Sequence, residues 1–435
     1  MASSQDDDVF DVIVVGGGVA GTVCAYQAAQ AGHQVVLIER GSQPGTKNLS
    51  GGVFYCRVME QVFPGFVDRA PVERRITRNV VSFLNATSAV NIDYWDQRLA
   101  APVNAVTVLR AKLDAWLSEQ CEEAGVMVMP GVKVDELIVE AGQVVGVRAG
   151  EDELRARVTV LADGVNSFLA QQAGIRPKQP HQHLAVGVKS VIRLPRTVLE
   201  DRFRVSGDEG VAYALVGDAT QGCAGGGFLY TNEDSVSIGV VLRLDDLTAK
   251  GLTSSEVHDH FLRHPAIAGL LAGGELLEYG CHLTIEDGPA MAKQDLTRPG
   301  LLIIGDAAGF TLNTGLTIRG MDLAAGSALA AAATIDAALE SDDVSGAAMD
   351  RYRTELDAGF VGRDLALYAK APGFLENPRM YRDYGLLLAD ILHGVFDLDT
   401  TPRRHLAATA WDRVKASGIG ITRIARDAWQ AVRAL

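Results

Sequence analysis

Cysteine is scarce in this chain: Cys24, Cys56, Cys121, Cys223 and Cys281 are its five, an odd number with no two close together. This spacing excludes a disulfide framework and offers no cysteine-ligated metal or iron–sulfur site, so each is read as a small buried apolar residue. Positive charge is also short. A net charge of −14 argues against nucleic acid as a partner, because phosphate backbones demand a basic surface. No apolar run of about 18 residues is free of charge, so nothing is expected to span a bilayer. Met1–Asp8 lacks the basic region and apolar stretch of a secretory leader and reads as an acidic tail. The expected location is cytoplasmic, with peripheral contact at the inner face of the cell membrane left open. His181, His183, His258, His260 and His264 have no convergent acid beside them, so no metal site is expected. Repeats are absent, and only the stretch near residue 330, rich in alanine, has low complexity. What is present, 48% hydrophobic and 22% charged residues over 435 positions, is an ordinary globular composition too long for one core, and two or three subdomains are expected.

Asp11-Val-Ile-Val-Val-Gly-Gly-Gly-Val-Ala-Gly21 organises the rest. A β-branched run leads into glycines at G-x-G-x-x-G spacing and then, through Val19 and Ala20, into a helix. Gly16 permits the tight turn, Gly18 lets backbone approach a pyrophosphate, and Gly21 lets helix and strand pack closely. The helix start offers free N–H groups and a positive dipole end to phosphates. After the helix (Thr22 to Ala31) comes Gln34-Val-Val-Leu-Ile-Glu39, a buried strand ending in an acid followed by Arg40. Glu39 lies 18 positions beyond Gly21, near the spacing expected of a carboxylate on adenosine ribose hydroxyls. That acid would repel a 2'-phosphate, so the ligand reads as FAD or NAD rather than NADP.

Further along, Gly45-Thr-Lys-Asn-Leu-Ser-Gly-Gly-Val53 is a polar loop in which Lys47, Asn48, Gly51 and Gly52 are candidates to meet a ligand. Arg110 opens a helix whose Leu109, Leu113, Trp116 and Leu117 share a face; Arg110 points elsewhere and is free for a phosphate or an acidic partner. Gly125–Val134 reads as a buried strand and turn extending a parallel sheet, followed by a small antiparallel meander. Val158-Thr-Val-Leu-Ala-Asp-Gly164 returns to the core and ends in the Asp163-Gly164 turn. From His183 to about Tyr279, strands broken by glycine suggest a second, antiparallel sheet, with one helix from Ser254 to Leu271. Gly222-Cys-Ala-Gly-Gly-Gly227 is not a second phosphate cradle, because a strand follows it where a helix is needed. Leu301-Leu-Ile-Ile-Gly-Asp-Ala-Ala-Gly309 is a buried strand ending in Gly305-Asp306, and a helix is expected from Gly315–Arg319 to Leu339, taking in Gly320 and Met321. Residues 345–435 read as helices separated by Pro372, Pro378 and Pro402. The last of these, Arg403–Leu435, carries seven basic and two acidic side chains, net +5 against −19 for the remainder. Ile421, Ile424, Trp429 and Val432 are interleaved with those charges. Two readings stand side by side: an amphipathic docking helix for a partner or an anionic lipid surface, or a helix capping its own core.

Together the glycine cradle with Glu39, Arg110, Asp163-Gly164 and Gly305-Asp306 resemble the glutathione-reductase-type FAD fold, in the branch of p-hydroxybenzoate hydroxylase and geranylgeranyl reductase. That resemblance implies Asp306 on the ribityl chain, the following helix aimed at the flavin, Arg110 on the cofactor and backbone at Val134 on the adenine. Gly45–Val53, Ala70-Pro-Val-Glu-Arg-Arg75, Phe228-Leu-Tyr-Thr-Asn232, Gly315-Leu-Thr-Ile-Arg-Gly-Met-Asp322 and Phe374-Leu-Glu-Asn-Pro378 are similar to the FixC flavoproteins, relatives of electron-transfer flavoprotein:quinone oxidoreductase. The implied architecture is an α/β Rossmann domain for FAD interleaved with an antiparallel-sheet substrate domain, plus a helical C-terminal region. The implied segments are 9–75, 106–180 and 291–344 for FAD, 76–105 and 181–290 for the second sheet, and 345–435 for the helices. The implied activity is FAD-dependent electron transfer from a FixA/FixB-like electron-transfer flavoprotein, with a FixX-like ferredoxin, to membrane quinone. Lys47 and Asn48 would line the flavin edge. Because no cysteine follows Cys281, an iron–sulfur cluster would have to come from a partner. The alternatives are a geranylgeranyl-reductase-like isoprenoid reductase, a class A flavin monooxygenase, and a scaffold in which FAD is structural.

Overall fold

The computed structural model describes residues 9–46 and 51–435, in which the chain builds two sheets that exchange strands. The first has the order Thr297–Arg298, Leu301–Ile303, Asp152–Leu161, Val9–Val15, Val35–Glu39, Met127–Pro130. Its core pairings are parallel, with Val12 opposite Val35 and Val158, and Thr159 opposite Leu301. Buried on both faces, such strands read as continuous apolar runs: Val12, Ile13 and Val14 are fully buried. Met127–Pro130 is instead a partly exposed edge strand, because among the described residues no strand pairs beyond it. The meander Glu136–Glu140 and Gln143–Ala149 continues into Asp152–Leu161.

Helix Val19–Gln30 packs against helix Met321–Glu340, and both bury small residues, among them Ala25, Ala28, Ala325 and Ala328. The second helix starts later than the sequence suggests. Ile318–Arg319 pairs with Leu312–Asn313 as a short hairpin, with Gly315 in its turn. Thr314 ties that turn by accepting the Thr317 N–H at 3.1 Å, so the chain cannot enter the helix before Met321. By length and composition Met321–Glu340 could cross a membrane, yet most of it is buried inside the molecule.

The second sheet has the order Glu275–Ile285, Leu184–Arg193, Ser235–Arg243, Gly225–Thr231, Glu209–Gly217, Val72–Asn85, Ala105–Val108, Gly52–Tyr55, with Ser88–Trp95 paired beside Val72–Asn85. Every pairing is antiparallel except Glu209–Gly217 on Val72–Asn85. Gly52–Tyr55 and the start of Val72–Asn85 belong to this sheet, although the sequence assigned them to the FAD-binding part; their backbone groups pair with Ala105–Val108. The expected helix 254–271 is two helices, Ser254–Arg263 and Pro265–Leu271. His264 ends the first and caps the second by accepting the Ala266 N–H, and the proline ring forbids continuation. Strand Glu275–Ile285, unrecognised in the sequence, forms the outer edge. It carries Cys281, which is exposed, while the other four cysteines are buried as expected.

Two family-like motifs serve the fold rather than a site. Arg74 is buried at 1% exposure and donates to the carbonyls of Asn232 (2.6 Å), Glu209 (2.9 Å), Glu233 (3.0 Å) and Gly207 (3.1 Å), joining Ala70–Arg75 to the turn that follows strand Gly225–Thr231. In the helical region, Phe374 and Leu375 pack with Ala434, and Arg379 holds Asp427 through Nε (2.6 Å) and Nη2 (2.7 Å).

Candidate functional site

The turn after Val9–Val15 is shaped by what it cannot accommodate. Gly16 has φ +112°, and a Cβ there would fall 2.2 Å from the Ala162 carbonyl oxygen. At Gly21 it would fall 1.9 Å from the Gly16 carbonyl oxygen, so helix and strand meet only because both are glycine. Gly18 differs: a Cβ there would meet only Arg110 Nη2, at 3.5 Å. Its place is empty space facing a cavity of about 810 Å³, of the size that holds a cofactor.

The cavity lies between the two sheets and draws its lining from both. Gly16, Gly18, Val19 and Ala20 contribute the start of the first helix, with Glu39, Arg40 and Val134 beside it. Asp163, Gly164 and Asp306 come from the ends of two further parallel strands, and Gly320 and Met321 from the start of the long helix. Gly51, Gly52 and Arg110 complete this half. Open α/β sheets bind ligands at the carboxyl ends of their strands, where these residues converge.

Three residues singled out in the sequence lie elsewhere. Gly21 is consumed by packing, Gly305 packs on Ala20 with its N–H bonded to Ser327 Oγ at 3.0 Å, and Gly315 sits in the exposed hairpin turn, so none of the three lines the cavity. Lys47 and Asn48 fall outside the described residues. Arg110 does line the cavity but is not free: its Nε and Nη2 donate to the two carboxylate oxygens of Asp114, each at 2.7 Å. Glu39 accepts the Gly17 N–H at 2.8 Å and the Gly41 N–H at 2.5 Å, so its carboxylate also fixes the glycine turn.

Electrostatics mark the same place. Burial pushes the Asp163 carboxyl up to about 6, opposed by N–H groups at the start of the short helix that follows. Its Oδ1 is buried without a hydrogen-bond partner among the described residues. Burial also raises Asp306, while Arg110 and His282 pull it down. Open space before helix N–H groups, a cavity walled by two sheets and an orphaned buried acceptor fit an adenine dinucleotide.

The opposite wall is supplied by the second sheet: Gly187, Lys189, Phe228, Tyr230, Val241 and His282. Phe228 and Tyr230 stack with centroids 5.1 Å apart and planes at 15°. Lys189 donates to the Gly51 carbonyl and its ammonium lies 5.7 Å from the Phe228 centroid. The sequence marks Phe228 and Tyr230 only as part of a motif and gives no signal for Lys189 or His282. They are ordinary strand residues until Leu184–Arg193 and Glu275–Ile285 pair. Among the described residues no group of three or more His, Cys, Asp or Glu is placed to hold a metal ion.

Comparison with known proteins supports an FAD-binding Rossmann-type fold. A family model described as HI0933-like protein Rossmann domain matches residues 10–284, and one described as ETF-QO/FixC family C-terminal domain matches residues 371–435. The chain is 45% identical over 432 residues to the probable electron transfer flavoprotein-quinone oxidoreductase YdiS of Escherichia coli, covering 99% of this chain and 100% of that protein. It is 45% identical over 396 residues to Protein FixC of Salmonella typhi, covering 91% and 92%. Among solved structures, a geranylgeranyl bacteriochlorophyll reductase-like protein of Thermoplasma acidophilum superposes with TM-score 0.71 at 19% identity, covering 97% and 99% of the two chains. The myxobacterial chondrochloren halogenase CndH superposes with TM-score 0.62 at 20% identity, covering 95% and 91%. These last two share the fold.

Proposed function

The chain belongs to the electron transfer flavoprotein-quinone oxidoreductase/FixC family, an FAD-dependent oxidoreductase family, and from that premise we propose that it accepts electrons from a FixA/FixB-like electron-transfer flavoprotein, beside a FixX-like ferredoxin, and delivers them to a membrane quinone. The observation that carries this reading is the cavity shared by both sheets, with a phosphate cradle on one wall and an aromatic, glycine-cleared wall facing it. FAD supplies the two-electron chemistry. The chain's own residues would hold it: Gly16, Gly18, Val19 and Ala20 would present backbone to the pyrophosphate, Glu39 and Arg40 would bind the ribose and Val134 would meet the adenine. Asp163, Gly164, Arg110 and Asp306 would hold its middle, and Gly51, Gly52, Gly320 and Met321 would border the redox ring; Lys47 and Asn48, outside the described residues, are proposed for that ring's edge. Gly21, Gly305 and Gly315 act from behind, through packing and turn geometry.

The helix Ile421–Ala434 supports a membrane contact. It buries Asp427 and Ala434 against the molecule and leaves Ile421, Trp429 and Val432 exposed among Arg423, Arg426 and Arg433. That outward stripe, apolar with basic flanks on an otherwise acidic protein, fits the anionic inner face of a cell membrane, where the quinone resides.

The experiment is reductive titration of the purified holoprotein with dithionite, followed by quinone. Reoxidation by quinone supports the proposal. Rapid reduction by NADPH alone would point to a monooxygenase, and a cofactor inert to both would leave a structural role. Purification with FixA-, FixB- and FixX-like chains attached would establish the partners.

A further inference from the structure

Lys189 stands on a patch of the second sheet cleared of side chains. Its cross-strand neighbours are Gly239 and Gly280, and Gly187, two positions earlier, shares its face. Gly187 in turn lies between His282 and Val241. A Cβ at Gly187 would find nothing nearer than 3.8 Å, so the space above it is open to the cavity. A Cβ at Gly239 would come 2.6 Å from Phe228 Cζ, so that glycine is what lets the aromatic ring lie across the strand. The result is a flat floor of peptide groups bordered by Lys189, by His282 and by the stacked Phe228–Tyr230 pair. A flat floor with an aromatic edge suits a planar conjugated ring, and an ammonium and an imidazole at its borders suit that ring's carbonyl oxygens.

We propose that Lys189 is the proton donor to the quinone reduced on this floor, with His282 as the second donor and the link to solvent. This rests on the quinone-reducing reading above. The step balances as one quinone, two electrons from the reduced electron-transfer flavoprotein and two protons giving one hydroquinone. One O–H forms as the Lys189 ammonium gives up an N–H and the other as a protonated His282 imidazole gives up its N–H, leaving a neutral amine and a neutral imidazole that water reprotonates from the His282 side.

The surroundings suit this task. Lys189 is only 9% exposed, and burial pushes its ammonium down to about 7, aided by Arg110 and opposed by Glu278. Such a group gives up a proton readily at neutral pH and regains it as readily. His282 is lowered by burial and by Arg110 and Lys189, and raised by Asp306. Tyr230, the remaining titratable group on this wall, is pushed far up by burial and stays protonated.

The test uses the full-length holoprotein, reduced with dithionite and mixed either with a short-chain ubiquinone or with ferricenium, which takes one electron and no proton. In the wild type the quinone-to-ferricenium rate ratio should fall as pH rises through about 7, as the ammonium is lost. In K189M the ratio below that pH should drop by about 100-fold and its fall through about pH 7 should be lost. K189R keeps a cation near Gly51 but releases no proton at neutral pH, so it should resemble K189M. Independently of turnover, competitive acetylation read by peptide mass spectrometry should give Lys189 a midpoint near 7. A lysine that merely positions the Gly51 loop would change both acceptors alike and leave the ratio intact. If quinone fails to reoxidise the wild type, the quinone-reducing reading falls. If quinone reoxidises it with a ratio that does not vary with pH, or if K189R keeps the wild-type ratio, only the proton-donor assignment falls.

Discussion

At the scale of single residues, Gly16 and Gly18 have opposite consequences although they belong to one motif. Gly16→Ala puts a side chain at a positive φ and against the Ala162 carbonyl. We expect it to destabilise the protein by at least about 1–3 kcal/mol from backbone strain alone, seen as a lowered Tm of the apoprotein. Gly18→Ala fills space that only a ligand would need. The apoprotein Tm should stay unchanged while FAD affinity falls about tenfold or more, measured by equilibrium titration; a wild-type affinity would mean the cradle holds no pyrophosphate. Asp163 gives a pH signature. Its native pKa of about 6 lies above the ordinary 3.8, so its contribution to stability is fully present below about pH 3.8 and is lost as pH rises to about 6. Asp163→Asn removes that loss. The variant apoprotein should match the wild type near pH 4 and exceed it above pH 6, by on the order of 2–3 kcal/mol in denaturant titrations.

At the scale of elements, Arg74 shows what a buried cation does when carbonyl oxygens surround it. Its four backbone acceptors come from the segments around Gly207–Glu209 and Asn232–Glu233. Arg74→Met would take the Arg74 donor from all four carbonyls, of which Gly207 keeps Arg196 at 2.8 Å, and we expect a loss of about 3–5 kcal/mol in urea unfolding. Arg74→Lys should recover only part of it, since one ammonium cannot reach four directions. This residue also marks where the sequence is legible and where it is not. Val12–Val15, Val35–Glu39 and Leu301–Ile303 are visible because strands buried on both faces must be continuously apolar, and the glycine spacing between the first two fixes a local turn. The strand Glu275–Ile285 is invisible because it is an edge, with Leu276, Leu277 and Tyr279 exposed and no clean alternation. In the sequence the hairpin at Ile318–Arg319 reads as the start of the long helix, because its turn has no proline and only one positive-φ residue, Gly315, and is closed by the Thr314 and Asn313 side chains. The half of the site built from one βαβ unit could thus be read locally. Lys189, Phe228, Tyr230 and His282 could not, because their shared face exists only through pairings between residues up to 95 positions apart, as in Gly187 with His282.

At the scale of the whole molecule, the question is how the terminal helices relate to the two-sheet body. Asp427 is 3% exposed and held by Arg379 and by the Tyr384 hydroxyl, an anchor that fixes which face of Ile421–Ala434 turns outward. The hydrogen bonds from Arg379 and Tyr384 hold its carboxyl well below the usual range. Its stabilising effect is therefore present above the ordinary carboxyl pKa and lost as pH falls through the acid range below it. Asp427→Ala should loosen this helix first, seen as faster tryptic cleavage at Arg423 and Arg426 with the cofactor spectrum retained. The outward stripe is a separate matter, because Trp429 and Val432 are 64% and 77% exposed and support nothing beneath them. Replacing both with aspartate should leave Tm within a degree or two, since surface changes of this kind seldom exceed about 0.5 kcal/mol. It should nevertheless remove binding to vesicles containing phosphatidylglycerol, binding that in the wild type weakens with added salt because Arg423, Arg426 and Arg433 contribute to it. If the doubly substituted protein sediments with such vesicles as the wild type does, the helix is a cap and not a membrane contact. The quinone would then have to reach the Lys189 floor from another face of the protein.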